Sequence, residues 1–367
     1  MTRKEFLKIC GVLGVSLPFQ ASLSACGKED ELPFNFSGKV IIIGAGAGGL
    51  SAGYLLQQHG VEFEILEASS FYGGRMRINT DFASFPIPLG AEWIETNPKV
   101  FKEIVNDSSV QVNVETFPDL PDQKFINSSW FNFFETYIVP SIHDKITINT
   151  IVDTIDYSGE QLVIHTSNGE YLADKVIVSV PLKILQDGDI NFIPSLPQYK
   201  LDAINEITIW GGFKAFFEFS TKFYDEEYVF QISPAINGEK IYYNASLGQN
   251  TNKHILGLFV VGTPTNDYSA LSGNNLRDFI LSELDGLYGN QATPSYVKHL
   301  TQNWNEEPFI KAGYMSDYAD WRTVKKLGES VVNKVYFAGG EYTDGEDWVS
   351  VHTAAQSAKA AIIKIGS

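Results

Sequence analysis

Hydrophobic positions along this chain fall into short unbroken runs closed by glycine. Val40-Ile-Ile-Ile43 is apolar throughout, Gly44-Ala-Gly-Ala-Gly-Gly49 breaks it, and Leu50 to Leu56 continues with small and apolar residues. The pattern predicts a buried β-strand, a tight turn and the start of a helix. Val61 to Leu66 predicts a second strand, ending on the carboxylate of Glu67. Ile146 to Ile184 predicts strand, strand, turn and strand, with Ser167-Asn-Gly-Glu170 as the hairpin turn. Asn191 to Pro197 reads as a proline-punctuated crossover, Phe213 to Tyr243 and Ile255 to Val261 as strands of a second sheet, and Leu276 to Tyr288 as a helix. Val335 to Glu341 predicts a last strand and glycine turn, leading to a helix near Val351. The class implied is α/β.

The first turn carries chemistry. Gly44, Gly46 and Gly49 form a G-x-G-x-x-G run, and Glu67 stands twenty-one residues after Gly46. Gly44 permits the tight turn, Gly46 lets the backbone approach a pyrophosphate, and Gly49 lets helix and strand pack closely. Phosphates then sit at a helix N-terminus, where free N–H groups and the dipole favour negative charge. Glu67 would accept hydrogen bonds from a ribose hydroxyl pair. Glycine-rich turns are common, but strand, turn, helix, strand and acid in this order predict a dinucleotide site.

Residues 1–26 read as a leader: Arg3, Lys4 and Lys8 make a basic start, Ile9 to Phe19 is apolar, and Leu23-Ser-Ala-Cys26 closes the segment. The run is too short to span a bilayer. Its ending resembles a bacterial lipobox, with a plain secretory signal as the other reading. Thr2 to Lys8 resembles a twin-arginine export signal with lysine for the second arginine, and residues 27–36 read as a polar tether. The expectation is an exported protein, lipid-anchored through Cys26 to a bacterial membrane. Net charge is −17 over 367 residues; the leader holds three basic residues and one acid, so −19 falls on the rest. That argues against nucleic acid as a partner. The only cysteines are Cys10 and Cys26, and the six histidines are scattered, so neither a disulfide, a thiolate nucleophile nor a metal site is expected.

The next segments separate the dinucleotides. Ala68-Ser-Ser-Phe-Tyr-Gly-Gly-Arg75, Pro88-Leu-Gly-Ala-Glu-Trp-Ile94, Trp304-Asn-Glu-Glu-Pro-Phe-Ile-Lys-Ala-Gly-Tyr314 and Val335-Tyr-Phe-Ala-Gly-Gly-Glu341 occur in that order. Together they resemble the flavin-containing amine oxidoreductases: monoamine oxidases, polyamine oxidases, histone-demethylase-type oxidases and their bacterial relatives. The resemblance implies a Rossmann-like FAD-binding domain of the GR2 type, with p-hydroxybenzoate-hydroxylase-like topology, interleaved with an α+β substrate domain. The FAD-binding part would be residues 37–96, 146–190 and 300–367, and the substrate domain 97–145 and 191–299. Cofactor contacts are expected from Gly44, Gly46, Gly49, Glu67, Gly74, Arg75, Leu89, Gly90, Ala91, Glu92, Trp93, Val152, Trp304, Gly339, Gly340, Glu341, Ser350 and Val351. Where some relatives carry a cysteine that bonds the flavin, this chain has Gly313, so FAD is expected to be non-covalent.

The same resemblance implies oxidation of an amine at its C–N bond, with O2 as acceptor and imine or aldehyde and hydrogen peroxide as products. The family lysine near the flavin is placed at Lys253, before an apolar strand, and Tyr314 falls on one wall of the family's aromatic pair. At the other wall Ser350 stands where tyrosine is common, and Val349 replaces a glycine, with Trp348 close by. This leaves two alternatives open: an FAD dehydrogenase or desaturase of an apolar substrate, of the phytoene or protoporphyrinogen type, and a non-catalytic flavoprotein. Trp130 to Tyr137 is aromatic-rich, suited to core packing or to a cavity wall, and His352 reads as a packed helical histidine, with contact to the flavin edge as the other reading.

Overall fold

The computed structural model describes residues 34–116, 122–225, 229–233 and 237–367. The expected leader with Cys26, and residues 27–33 of the expected tether, lie outside them. In chain order the elements used below are β1 (Lys39–Ile43), α1 (Ala47–Gln58), β2 (Glu62–Leu66), β3 (Gln123–Phe125), α2 (Trp130–Tyr137), β4 (Ile146–Thr147), β5 (Val152–Asp156), β6 (Leu162–Thr166), β7 (Gly169–Ala173), β8 (Lys175–Val178) and β9 (Asn191–Ile193). They continue with β10 (Gly212–Phe219), β11 (Val229–Ser233), β12 (Gly238–Asn244), β13 (His254–Gly262), α3 (Gly273–Tyr288), β14 (Tyr296–Asn303), β15 (Val335–Phe337) and α4 (Val351–Gly366).

A parallel sheet of order β15-β8-β1-β2-β4 forms the nucleotide-binding half. Its central strand is apolar and buried from Val40 to Ile43, as a strand covered on both faces requires. Val40 and Ile42 point into one core, with Leu50 of α1 and Ala355 of α4, while Ile41 and Ile43 point into another under β5 and β6. The hairpin of β6 and β7 turns at Ser167 and Asn168, with Thr166 opposite Gly169. From the 97–145 segment expected in the substrate domain, Phe101, Trp130, Phe133 and Phe134 pack into the first core with Val40 and Ile42, while Lys124 reaches the Ala245 carbonyl beside the second sheet. So many aromatic side chains within eight residues need a large apolar surface, and the sheet's helical cover supplies it.

The second sheet is antiparallel, in the order β11-β12-β13-β10-β14. All eight residues of β10 are buried. Phe213, Ala215 and Phe217 face α3 in one cluster, and Phe216 faces the cluster of Ile87, Leu89 and Trp304 on the other side. Period-two alternation puts Lys214 and Glu218 on the Phe216 side, so two ionisable residues enter a buried strand face.

Candidate active site

A cavity of about 530 Å³ lies between the C-terminal edge of the parallel sheet and the second sheet. Ile43, Leu66 and Ser179 line it from the strand ends, where open α/β sheets bind ligands. Gly44 turns there at φ +99°, and a Cβ would come within 2.6 Å of the Ser179 carbonyl oxygen. Gly46 caps α1 without a side-chain cap, and a Cβ built on it meets nothing within 4 Å, so the helix N-terminus opens onto the cavity. Buried Glu67 is aimed by two backbone donors: Ala45 N–H at 2.7 Å and Ser69 N–H at 2.8 Å. Arg75 donates from Nη1 to the Gly313 carbonyl (2.5 Å) and to Glu341 (2.7 Å), which joins the two ends of the chain across the cavity. Gly339 N–H is held by the Ser357 hydroxyl at 2.8 Å.

These residues fit FAD. An open glycine turn at a helix N-terminus suits a pyrophosphate, a buried carboxylate suits a ribose diol, and the fork of Arg75 suits an anionic or carbonyl edge. Of the expected cofactor residues, Gly44, Gly46, Glu67, Gly74, Arg75, Gly90, Ala91, Glu92, Trp93, Val152, Trp304, Gly339, Gly340, Glu341, Ser350 and Val351 do line the cavity. Gly49 and Leu89 do not. Gly49 lets α1 approach β1, a Cβ there lying 1.9 Å from the Gly44 oxygen. Leu89 is buried in the core and accepts a 2.9 Å hydrogen bond from Trp304 Nε1 at its carbonyl.

In the other half of the cavity, Tyr314 stands beside Trp210, ring centroids 6.1 Å apart. Burial, followed by the carboxylates Asp317, Glu239 and Glu95, pushes the Tyr314 hydroxyl well above its ordinary value. All three carboxylates line the cavity. Ser350 is the N-cap of α4, shares a capping box with Thr353, and donates its hydroxyl to Glu95. Val349, where a glycine was expected, keeps a glycine's conformation at φ +70°. Trp348 packs on the core under β5 and β6 instead of lining the cavity. His352 is buried on α4, its Nε2 3.4 Å from Asp347.

Lys253 does not line the cavity. Its ammonium pairs with Glu218 at 2.6 Å, and its side chain is 55% exposed. The reason is strand direction. Gly212 pairs with Val261 and Phe219 with His254, and the cavity takes its lining from Gly212–Lys214 and Phe259–Val261. Lys253 precedes the opposite end of β13, roughly 20 Å away along the strand. Two lysines line the cavity: Lys311, partly exposed and paired with Asp187 and Asp189, and the buried Lys214, whose Nζ reaches Glu92 (2.7 Å) and the carbonyls of Pro88 (3.1 Å) and Gly90 (3.0 Å). Burial alone would push the Glu92 carboxyl up, but Lys214 and then Lys124 hold it below its ordinary value. Burial pushes the Lys214 ammonium down against the pull of Glu92.

Lys214, Trp210 and Glu95 were missed in the sequence. Lys214 left a signal: a lone lysine in Gly212-Phe-Lys-Ala-Phe-Phe-Glu-Phe219, a run too apolar to hold an ammonium without a dedicated partner. Trp210 and Glu95 left none, since neither an aromatic residue nor an acid beside a loop is unusual.

The sequence profile of the flavin containing amine oxidoreductases matches residues 138–361, and that of the NAD(P)-binding Rossmann-like domain matches residues 42–107. Polyamine oxidase 3 of Oryza sativa subsp. japonica is 22% identical over 86% of each chain. Lysine-specific histone demethylase 2 of Homo sapiens is 26% identical over 53% of this chain. That match spans only 25% of the demethylase's own length. A solved structure of putrescine oxidase bound to putrescine superposes with a TM-score of 0.70 at 13% identity, covering 89% of this chain and 98% of that one. The chain therefore carries a Rossmann-like dinucleotide domain, and it belongs to the flavin containing amine oxidoreductase family.

Proposed function

We propose that this protein oxidises di- or polyamines at a C–N bond, with non-covalently held FAD and O2 as final acceptor. The observation that carries the substrate class is the set of carboxylates around Tyr314: Glu95, Glu239 and Asp317 all line the cavity beside an aromatic wall. Such a lining favours a cation with an apolar stem, and several separated carboxylates favour more than one cationic centre. Relatives named for polyamines and putrescine support the same reading.

FAD, when bound, supplies the hydride acceptor and passes the electrons to O2, leaving imine and hydrogen peroxide. The chain's own residues do the rest. The α1 N-terminus at Gly46, Glu67, and Arg75 with Glu341 would hold the dinucleotide. Tyr314 and Trp210 present apolar faces that exclude water and orient the amine. Ser350 holds Glu95 where a second aromatic wall was expected, so this wall accepts hydrogen bonds from a substrate ammonium. Lys214, paired with Glu92, presents its amine group at the cavity wall. Covalent flavin attachment through cysteine has no residue to use between 34 and 367.

The test is an anaerobic titration of the purified protein with mono-, di- and triamines, followed at the flavin absorbance. Bleaching by di- and triamines at concentrations at least tenfold below those of monoamines supports the reading, with colour and peroxide returning on air. Bound flavin that no amine bleaches overturns it. Acid precipitation is expected to release all yellow colour. Export and lipidation at Cys26 belong to the same proposal, and the mass of the N-terminal peptide from a membrane fraction checks them.

A further inference from the structure

Behind the cavity wall a second lysine shares the carboxylate that Lys214 uses. Lys124 on β3 is buried, with Nζ 3.6 Å from Glu92 Oε1 and 2.9 Å from the Ala245 carbonyl, over the rings of Trp93 (5.4 Å) and Tyr243 (5.9 Å). Tyr243 donates its hydroxyl to Glu92 Oε2 at 2.5 Å, beside Lys214 at 2.7 Å. One buried carboxylate thus serves two buried ammoniums and a phenol. Lys214 has three N–H groups and three acceptors, Glu92, Pro88 and Gly90, so its aim is fixed by donor count. Lys124 does not line the cavity and would touch neither substrate nor cofactor.

We propose that Lys124 is a positioning residue for amine oxidation: by taking the far oxygen of Glu92 it limits how much negative charge reaches Lys214, and so sets the pH at which Lys214 loses its proton. The inference rests on the reading of this cavity as a flavin site. Two cations on one anion compete, so the charge on Lys124 favours the neutral form of Lys214. Burial lowers both lysines, with Glu92 opposing in each case. The groups that face the cluster are Glu92 from the loop after Pro88, Lys124 from β3, Lys214 from β10 and Tyr243 from β12. Farther along the same face of β10, Glu218 is paired with Lys253 and Lys298, and Arg75 with Glu341 closes on itself.

The experiment follows the visible spectrum of the flavin-loaded protein against pH, together with the pH profile of anaerobic flavin reduction. Lys124→Met removes the competing cation, and the transition assigned to Lys214 is expected to move to higher pH by roughly one unit or more. Glu92→Gln removes the anion and is expected to move it the opposite way. Lys124→Gln, which keeps a donor for the Ala245 carbonyl, gives the same upward shift and serves where the methionine variant does not fold. A transition that stays in place in a folded Lys124 variant while Glu92→Gln displaces it overturns the inference, since a merely structural lysine would alter stability alone. Absence of any flavin spectrum in the unsubstituted protein would instead overturn the reading of the cavity.

Discussion

Strand β10 carries an ion pair at each end of one face, and the two ends differ in everything except chemistry. At the cavity end, Lys214 and Glu92 are both 3% exposed and 2.7 Å apart. At the far end, Glu218 is 5% exposed and meets two surface lysines, Lys253 at 2.6 Å (55% exposed) and Lys298 at 3.5 Å (45% exposed). Water screens the far pair, so it is worth about 0–1 kcal/mol. The near pair has no such screening, and losing one partner strands a buried charge at a cost of about 3–5 kcal/mol. A strand that buries an ion pair beside a cavity spends stability on keeping a charge there. The far end shows what the same residues do when nothing needs them dry.

Breaking the near pair should have the largest effect. Lys214→Met leaves Glu92 with Lys124 and Tyr243, so FAD binding is expected to persist while the rate of flavin reduction by amine falls about 10³-fold; stopped-flow absorbance under anaerobic conditions measures it. Glu92→Gln strands two ammoniums and should lower stability by about 3 kcal/mol in urea titration at pH 7. The sign with pH follows from linkage. The Glu92 carboxyl is held below its ordinary value of 4.5, so its contribution is complete above that pH and lost as pH falls through the lower folded value. The stability gap between the protein and Glu92→Gln should therefore narrow on acidification below 4.5. A gap that widens there would mean that the carboxyl is not ionised in the fold.

The nucleotide half was legible because its chemistry is local. Gly44, Gly46 and Glu67 lie within twenty-four residues, and each is dictated by a backbone requirement visible in the string. The substrate half assembles from strand pairing. Lys214 reaches the cavity because β10 runs antiparallel to β13, and no pattern within either strand says which end meets the parallel sheet. A family-based placement put the lysine at the start of the wrong strand, Lys253, for that reason. Trp210 and Glu95 come together with Tyr314 and Ser350 only after four chain segments converge. The core role of Trp130 to Tyr137 was readable as one of two options, and burial decided it.

Val349 sharpens the comparison from the opposite wall. A β-branched residue at φ +70° carries strain of order 1–3 kcal/mol, and here it lines the cavity opposite the charged strand end. Glycine adopts that backbone freely but costs more entropy on folding, about 1 kcal/mol. Val349→Gly should therefore raise stability by about 1 kcal/mol in thermal or urea unfolding. A loss of similar size would show that packing of the isopropyl group on the core under β5 and β6 outweighs the strain.

The smallest effect is expected at Lys253, and it tests the comparison most directly. Lys253→Met removes one of two cations from Glu218 and leaves Lys298, so the carboxylate keeps a partner. The methionine stem still covers the strand start, and the site stays roughly 20 Å from the cavity lining. Stability should change by no more than about 0.5 kcal/mol, and both flavin reduction and reoxidation should stay within twofold. Raising ionic strength should erase even that difference, because the pair is exposed to screening. Set beside the 10³-fold loss expected for Lys214→Met, a null result assigns the reaction's cation to the start of β10. A large rate defect in Lys253→Met with normal Lys214→Met kinetics would reverse the assignment and require the two sheets to meet at the other end.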